Sequence, residues 1–128
     1  GPNADRWANV MMAFDVIRAQ AFEKGRAELL TSVYPQGSSL LEDDRRLLET
    51  YTRRGLLVDD MRMQVLRVRL VGRSNSLIRL DVVDQLSAIR VRMPGGALRE
   101  LPRDRPTRRI VELSLTEDGW RISAVRQR

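Results

Sequence analysis

The 128-residue chain contains neither cysteine nor histidine. Without cysteine there is no disulfide framework, no zinc–thiolate site and no thiol nucleophile. Without histidine no Ser-His-Asp or Cys-His arrangement can be built, and the side chain that ordinarily titrates near neutrality is missing. Any catalysis falls to carboxylates, tyrosine, serine, threonine or arginine. Long apolar runs are also missing: none approaches the roughly 20 residues that cross a bilayer. The start, Gly1-Pro2-Asn3-Ala4-Asp5, lacks the apolar stretch of a signal peptide. Gly1-Pro2 reads as the scar of a cleaved tag, so residues 1–4 are expected to be a flexible start and 5–128 a single domain. Membrane attachment is expected only through a segment outside this chain. The lack of cysteine leaves the compartment open, because a chain with an adequate core needs no bridge even outside the cell.

Lysine is nearly absent as well. Lys24 is the only one among 23 basic residues, and the net charge is +6. An arginine-for-lysine bias fits a GC-rich genome; it also fits an anionic partner. The hydrophobic content of 42% is that of an ordinary globular protein. A chain of this length buries roughly two-thirds of its unfolded surface, enough for one core without staples.

The apolar period changes once, near Gly55. Before it, Trp7, Val10, Met11, Phe14, Ile17 and Ala21 recur at three-to-four spacing, which predicts a helix from Arg6 to Lys24 with Asp5 as its cap. Gly25 breaks the pattern before a short helix at Ala27–Leu30. Ser39-Leu40-Leu41-Glu42 has the spacing of a capping box, with a stripe of Leu40, Leu41, Leu47, Leu48 and Tyr51 behind it and Gly55 as the terminating residue. Beyond Gly55 the period is two. Met61, Met63 and Val65 alternate with polar residues, then Leu66, Val68 and Leu70 do so on the opposite parity, which predicts a β-bulge at Val65–Leu66. Ile78, Leu80 and Val82 give way to Ile89, Val91 and Met93, predicting a second break near Asp84–Ser87. Pro94-Gly95-Gly96 and Asp118-Gly119 mark turns, and Trp120, Ile122 and Ala124 close the last strand. Helices first and strands second imply an α+β fold, the helices packed on one face of a curved antiparallel sheet.

These residues resemble the NTF2-like superfamily, the ketosteroid-isomerase or SnoaL-like fold. The resemblance is carried by Trp7-Ala8-Asn9-Val10 with Arg18-Ala19-Gln20-Ala21-Phe22, the Gly25 break before Leu29-Leu30, and the closing Asp118-Gly119-Trp120-Arg121-Ile122. More narrowly, Val33-Tyr34-Pro35-Gln36-Gly37-Ser38 followed by Asp44, Tyr51 and Arg54-Gly55 is similar to domains of uncharacterised actinobacterial proteins anchored outside the membrane. Val83-Asp84-Gln85-Leu86 and Leu101-Pro102-Arg103-Asp104-Arg105-Pro106-Thr107 are similar to them too. The resemblance implies a cystatin-like cone with a pocket between helices and sheet, and a dimer formed through the sheet. It implies no activity, since this fold hosts enzymes and inert binding modules alike.

Three functional readings stay open. The leading expectation is a non-catalytic protein-interaction module, the extracytoplasmic domain of a longer anchored protein, binding a protein partner or a second copy; a cytoplasmic location is the alternative. The second is a small-molecule binder or isomerase-like enzyme using the cone pocket, with Trp7, Met11, Phe14, Tyr34, Tyr51 and Asp84 as candidate pocket residues. Asp84 follows Ile78, Leu80 and Val82 on the inward parity and is the candidate base; equally, it satisfies backbone or arginine where the parity slips. The third is anion binding, of a phosphate polymer or acidic lipid, by Arg67, Arg69, Arg79, Arg90 and Arg92, which otherwise form a solvated face. Nucleic acid is not expected, because aromatic content is only 5% and sheet readers of RNA display stacking rings. No cofactor or metal is expected: Glu42-Asp43-Asp44 lacks the alternating ligands of a calcium loop and suits a helix start, and Asp59-Asp60 suits a turn.

Overall fold

A helix that opens on proline gives up nothing, because its first amides have no intrahelical partner. In the computed structural model, which describes residues 2–102 and 104–127, α1 runs Pro2–Lys24, one turn earlier than the expected cap at Asp5. Asp5 instead lies in the first turn and Lys24 in the last, each opposite in sign to the helix end it meets. Gly1, from the expected scar, and Arg103 lie outside the described residues. After α1, a 3-10 turn spans Ala27–Ser32 and α2 spans Ser39–Arg53.

The cap of α2 is Ser38, not Ser39: its hydroxyl accepts from the Leu41 amide at 3.3 Å. Glu42 pairs forward with Arg45 rather than back to the cap. The helix stops at Gly55, whose φ of +68° suits glycine, and the Leu56 amide then donates to the Tyr51 carbonyl at 2.9 Å. Leu41 and Leu48 are buried, whereas Leu47, expected on the same stripe, is exposed.

Five antiparallel strands follow: β1 Leu57–Arg73, β2 Leu77–Arg92, β3 Leu98–Leu101, β4 Thr107–Thr116 and β5 Gly119–Gln127. Asp59 and Asp60, expected at a turn, lie within β1 and pair with Arg90 and Arg92 across the ladder. The order is β1-β2-β4-β5, and β3 continues the sheet where β4 leaves off, against Ile89–Arg92 of β2. β2 is therefore the spine, paired with β1 along one side and with β4 and then β3 along the other.

The register between β1 and β2 shifts four times, at Val58/Asp60, Arg62/Met63, Val65/Arg67 and Leu70/Gly72. The third is the expected bulge; Leu66, the extra residue, is exposed rather than inward. The second leaves Ser87 without an opposite number and turns β2 over, so Leu80, Val82 and Asp84 point inward before it and Ile89 and Val91 after it. Each extra residue adds local bend and twist, and together they let one sheet wrap α1.

The interior divides in two. One cluster joins Trp7, Met11, Phe14 and Ala21 of α1 to Ile78, Leu80 and Val82 of β2, Val111 and Leu113 of β4, and Ile122 of β5. The other gathers Phe22, Leu48, Val58, Ile89 and Val91 at the α2 end. No helix among the described residues is long and apolar enough to cross a membrane.

Candidate functional site

Between α1 and the inner face of the sheet lies a cavity of about 240 Å3 whose walls include Met11, Phe14, Tyr34, Met63, Val111 and Val125. Five charged side chains reach it from four segments: Asp15 and Arg18 from α1, Asp44 from α2, Asp84 from β2 and Arg109 from β4. Inward charges of this kind need partners, because an unpaired buried ion is expensive.

Two of the carboxylates have found theirs. Arg18 donates to both oxygens of Asp44, from Nε at 2.6 Å and from a terminal nitrogen at 3.0 Å, and the Tyr34 hydroxyl donates to the same carboxylate at 2.7 Å. Burial works against the Arg18 charge, but the bonds to Asp44 more than offset it and hold the guanidinium protonated. Burial, and then the Asp44 charge against the pull of Arg18, pushes the Tyr34 phenol above its ordinary value. Removing one member of such a buried pair typically destabilises a protein by roughly 3–5 kcal/mol, since it strands the other. Asp84 meets Arg109 in an ion pair with Oδ1 and Nε 3.1 Å apart, without a hydrogen bond between those two atoms. Burial raises the Asp84 carboxyl and Arg109 opposes it.

Asp15 is different. Its Oδ2 is buried with no hydrogen-bond partner. Burial first, then the nearby Asp84 charge, pushes its carboxyl up to about 7, against Arg18 and Arg109. The site thus pairs a carboxyl that changes charge near neutrality with arginines already engaged by other acids.

Of the expected pocket residues, Met11, Phe14, Tyr34 and Asp84 line the cavity together. Trp7 lies instead in the core, edge-on to Trp120 at 5.4 Å, and Tyr51 packs on Phe22 in the other cluster at 6.1 Å. Asp15, Arg18, Asp44 and Arg109 were not anticipated there. The signals were positional. Arg18 continues the Met11–Phe14 spacing on α1, and Arg109 shares the parity of Val111 and Leu113 on β4.

The arginine candidates separate into two groups. Arg90 and Arg92 pair with Asp59 and Asp60 near the β1 start. Arg67, Arg69 and Arg79 stand on the outer face of the sheet, with Arg108 and Arg126. Asp81 lies beneath them, 1% exposed at its side chain, and hydrogen bonds from Arg108 hold its carboxyl down at about 2. Among the described residues no group of three or more acidic side chains comes together to hold a metal ion.

No protein-family model matches the chain, and no curated protein matches it in sequence. Solved structures do resemble it. The intermembrane-space region of the chloroplast protein ARC6 superposes with a TM-score of 0.67 at 17% identity, covering 97% of this chain and 95% of that one. An uncharacterised cystatin-like protein of Caulobacter vibrioides gives 0.54 at 16% identity, over 99% of this chain and 87% of its own. A candidate dehydratase of the NTF2-like family from Streptomyces avermitilis gives 0.51 at 12%, over 91% and 92%. Identities this low establish architecture alone, and that architecture, helices roofing a curled antiparallel sheet, is the NTF2-like or cystatin-like fold.

Proposed function

We propose that the domain is a non-catalytic binding module that recognises a protein partner, as the extracytoplasmic part of a longer anchored protein. The observation that carries this reading is the engagement of the cavity's donors. Proton abstraction needs a base beside the substrate and a donor left over for the developing oxyanion. Tyr34 donates to Asp44, Arg18 is clamped by the same carboxylate, and Arg109 faces Asp84. Groups turned toward one another in this way tie α1 to α2 and β2 to β4. The likeness to an intermembrane-space region of a chloroplast protein, over nearly the whole of both chains, supports a place outside the cytoplasm.

A second reading has one observation in its favour. Asp15 lines a walled cavity and has one carboxyl oxygen unpartnered, which suits a small hydrogen-bond-donating ligand or a proton transfer. Photo-crosslinking side chains placed at Arg126, on the outer sheet, and at Met63, in the cavity, separate the two in intact cells. The module reading expects a discrete protein adduct from the outer position and none from Met63. Labelling confined to Met63 and lost in Asp15→Asn would overturn it in favour of the cavity.

A further inference from the structure

The ladder aligns a second grouping on the outer face, remote from the cavity. Arg67 stands opposite Val83, which stands opposite Arg108. In the next row Arg69, Asp81, Ile110 and Arg126 follow one another across four strands, and beyond them Arg79 faces Glu112. Five arginines against two carboxylates leave three positive charges on one side of the sheet.

The two acids tether rather than cancel. Asp81 takes Arg108 at 2.6 Å and Arg69 at 3.3 Å; Glu112 takes Arg79 at 3.4 Å and Arg126 at 3.5 Å. Each carboxylate bridges two guanidiniums, which limits their rotamers before anything docks. The guanidiniums still reach solvent: the side chains of Arg69, Arg79, Arg108 and Arg126 are 42–68% exposed. A guanidinium carries five N–H donors and matches carboxylates in a fixed fork, and Asp81 and Glu112 engage only a few of the donors here. Val83 and Ile110, half-buried between them, add apolar surface.

We infer that this face docks a carboxylate-rich segment of a partner protein, with apolar residues interspersed among its acids. The inference rests on the binding-module reading and names its partner. A second copy fits poorly, because it would bring the same three charges against these three. A phosphate polymer leaves Val83 and Ile110 without a role, and no aromatic ring stands among the named rows to stack a base.

The test is fluorescence anisotropy with a labelled peptide of Glu and Asp carrying Leu at every fourth position. Its Gln and Asn counterpart, inorganic polyphosphate and phosphatidylglycerol vesicles are the comparison arms. Saturable binding of the acidic peptide is expected, weakening about tenfold as salt rises from low to physiological ionic strength. Arg67→Gln with Arg126→Gln should weaken it by about tenfold again, while Arg69 and Arg108 stay to keep Asp81 paired. Unchanged binding by that variant overturns the inference, as does equal binding of polyphosphate, the vesicles or the neutral peptide. If the peptide fails while the protein adduct from Arg126 persists in cells, the acidic occupant is wrong and the module reading stands. If crosslinks are absent everywhere, both fall.

Discussion

Asp15 sits three residues before Arg18 on α1, close enough for that guanidinium to lower its carboxyl, yet burial and Asp84 win. The folded chain therefore holds the Asp15 proton more tightly than the unfolded one, whose carboxyl ionises near 3.8. Stability from this preference is fully present below that value and is lost as pH rises through about 7. Wild-type stability should fall by on the order of 3 kcal/mol between pH 4 and pH 8, and Asp15→Asn should lose most of that slope. Urea unfolding at both pH values reads it out; equal slopes in the two proteins would mean Asp15 is not the group responsible. Asp84, raised by its own burial, leaves a shallower slope of the same sign behind. At this scale the sequence was only partly readable. Asp44 has an ordinary reason to stand near a helix start, and only tertiary packing turns it toward Arg18 and Tyr34. Asp15 follows an apolar stripe without interrupting it, so periodicity gave no reason to single it out.

Among the elements, β1 depends on Leu66 for its position in the chain rather than for its side chain. The residue is exposed, and the register between β1 and β2 moves by one across it. Leu66→Ala should change stability by no more than about 0.5 kcal/mol, as for other surface sites. Deleting Leu66 should turn Val68 and Leu70 away from the core, since a slip of one residue exchanges the faces of a strand. Thermal unfolding followed by circular dichroism should show a cooperative transition near the wild-type temperature for the substitution and loss of cooperativity for the deletion. A deletion variant as stable as wild type would show that the bulge does not set the register. This bulge was legible because its apolar parity broke in plain view. The shifts at Val58/Asp60 and Leu70/Gly72 were not, because Asp59-Asp60 and Gly72-Arg73 stand there and read as turn residues at the ends of the strand. The capping position at Ser38 was missed by one residue because two serines in succession offer the same hydroxyl.

For the whole molecule, the change of period at Gly55 was enough to read the layer order and the roof over the sheet. The cone follows from it; the division of the interior into two clusters, where one core was expected, does not. Charge was harder, because a count of arginines does not tell which face they share; the ladder does. If the outer face repels its own copy, light scattering at high concentration and moderate salt should give the 14.7 kDa monomer. A dimer that persists at low salt, and dissociates in Arg67→Gln with Arg126→Gln, would contradict that.

The outermost strand bears on the same question from its border. β1 is 17 residues long and forms one margin of the sheet, a length that ordinarily invites a foreign chain to zip alongside. It changes step with its own neighbour four times. At three of those changes the extra residue belongs to β1 itself, Asp59, Leu66 and Val71, and there an incoming strand would fall out of phase, so the open border offers no long regular run to seed fibrous stacking. The same kinks that curl the sheet around its helix thereby guard the margin that the curl leaves uncovered.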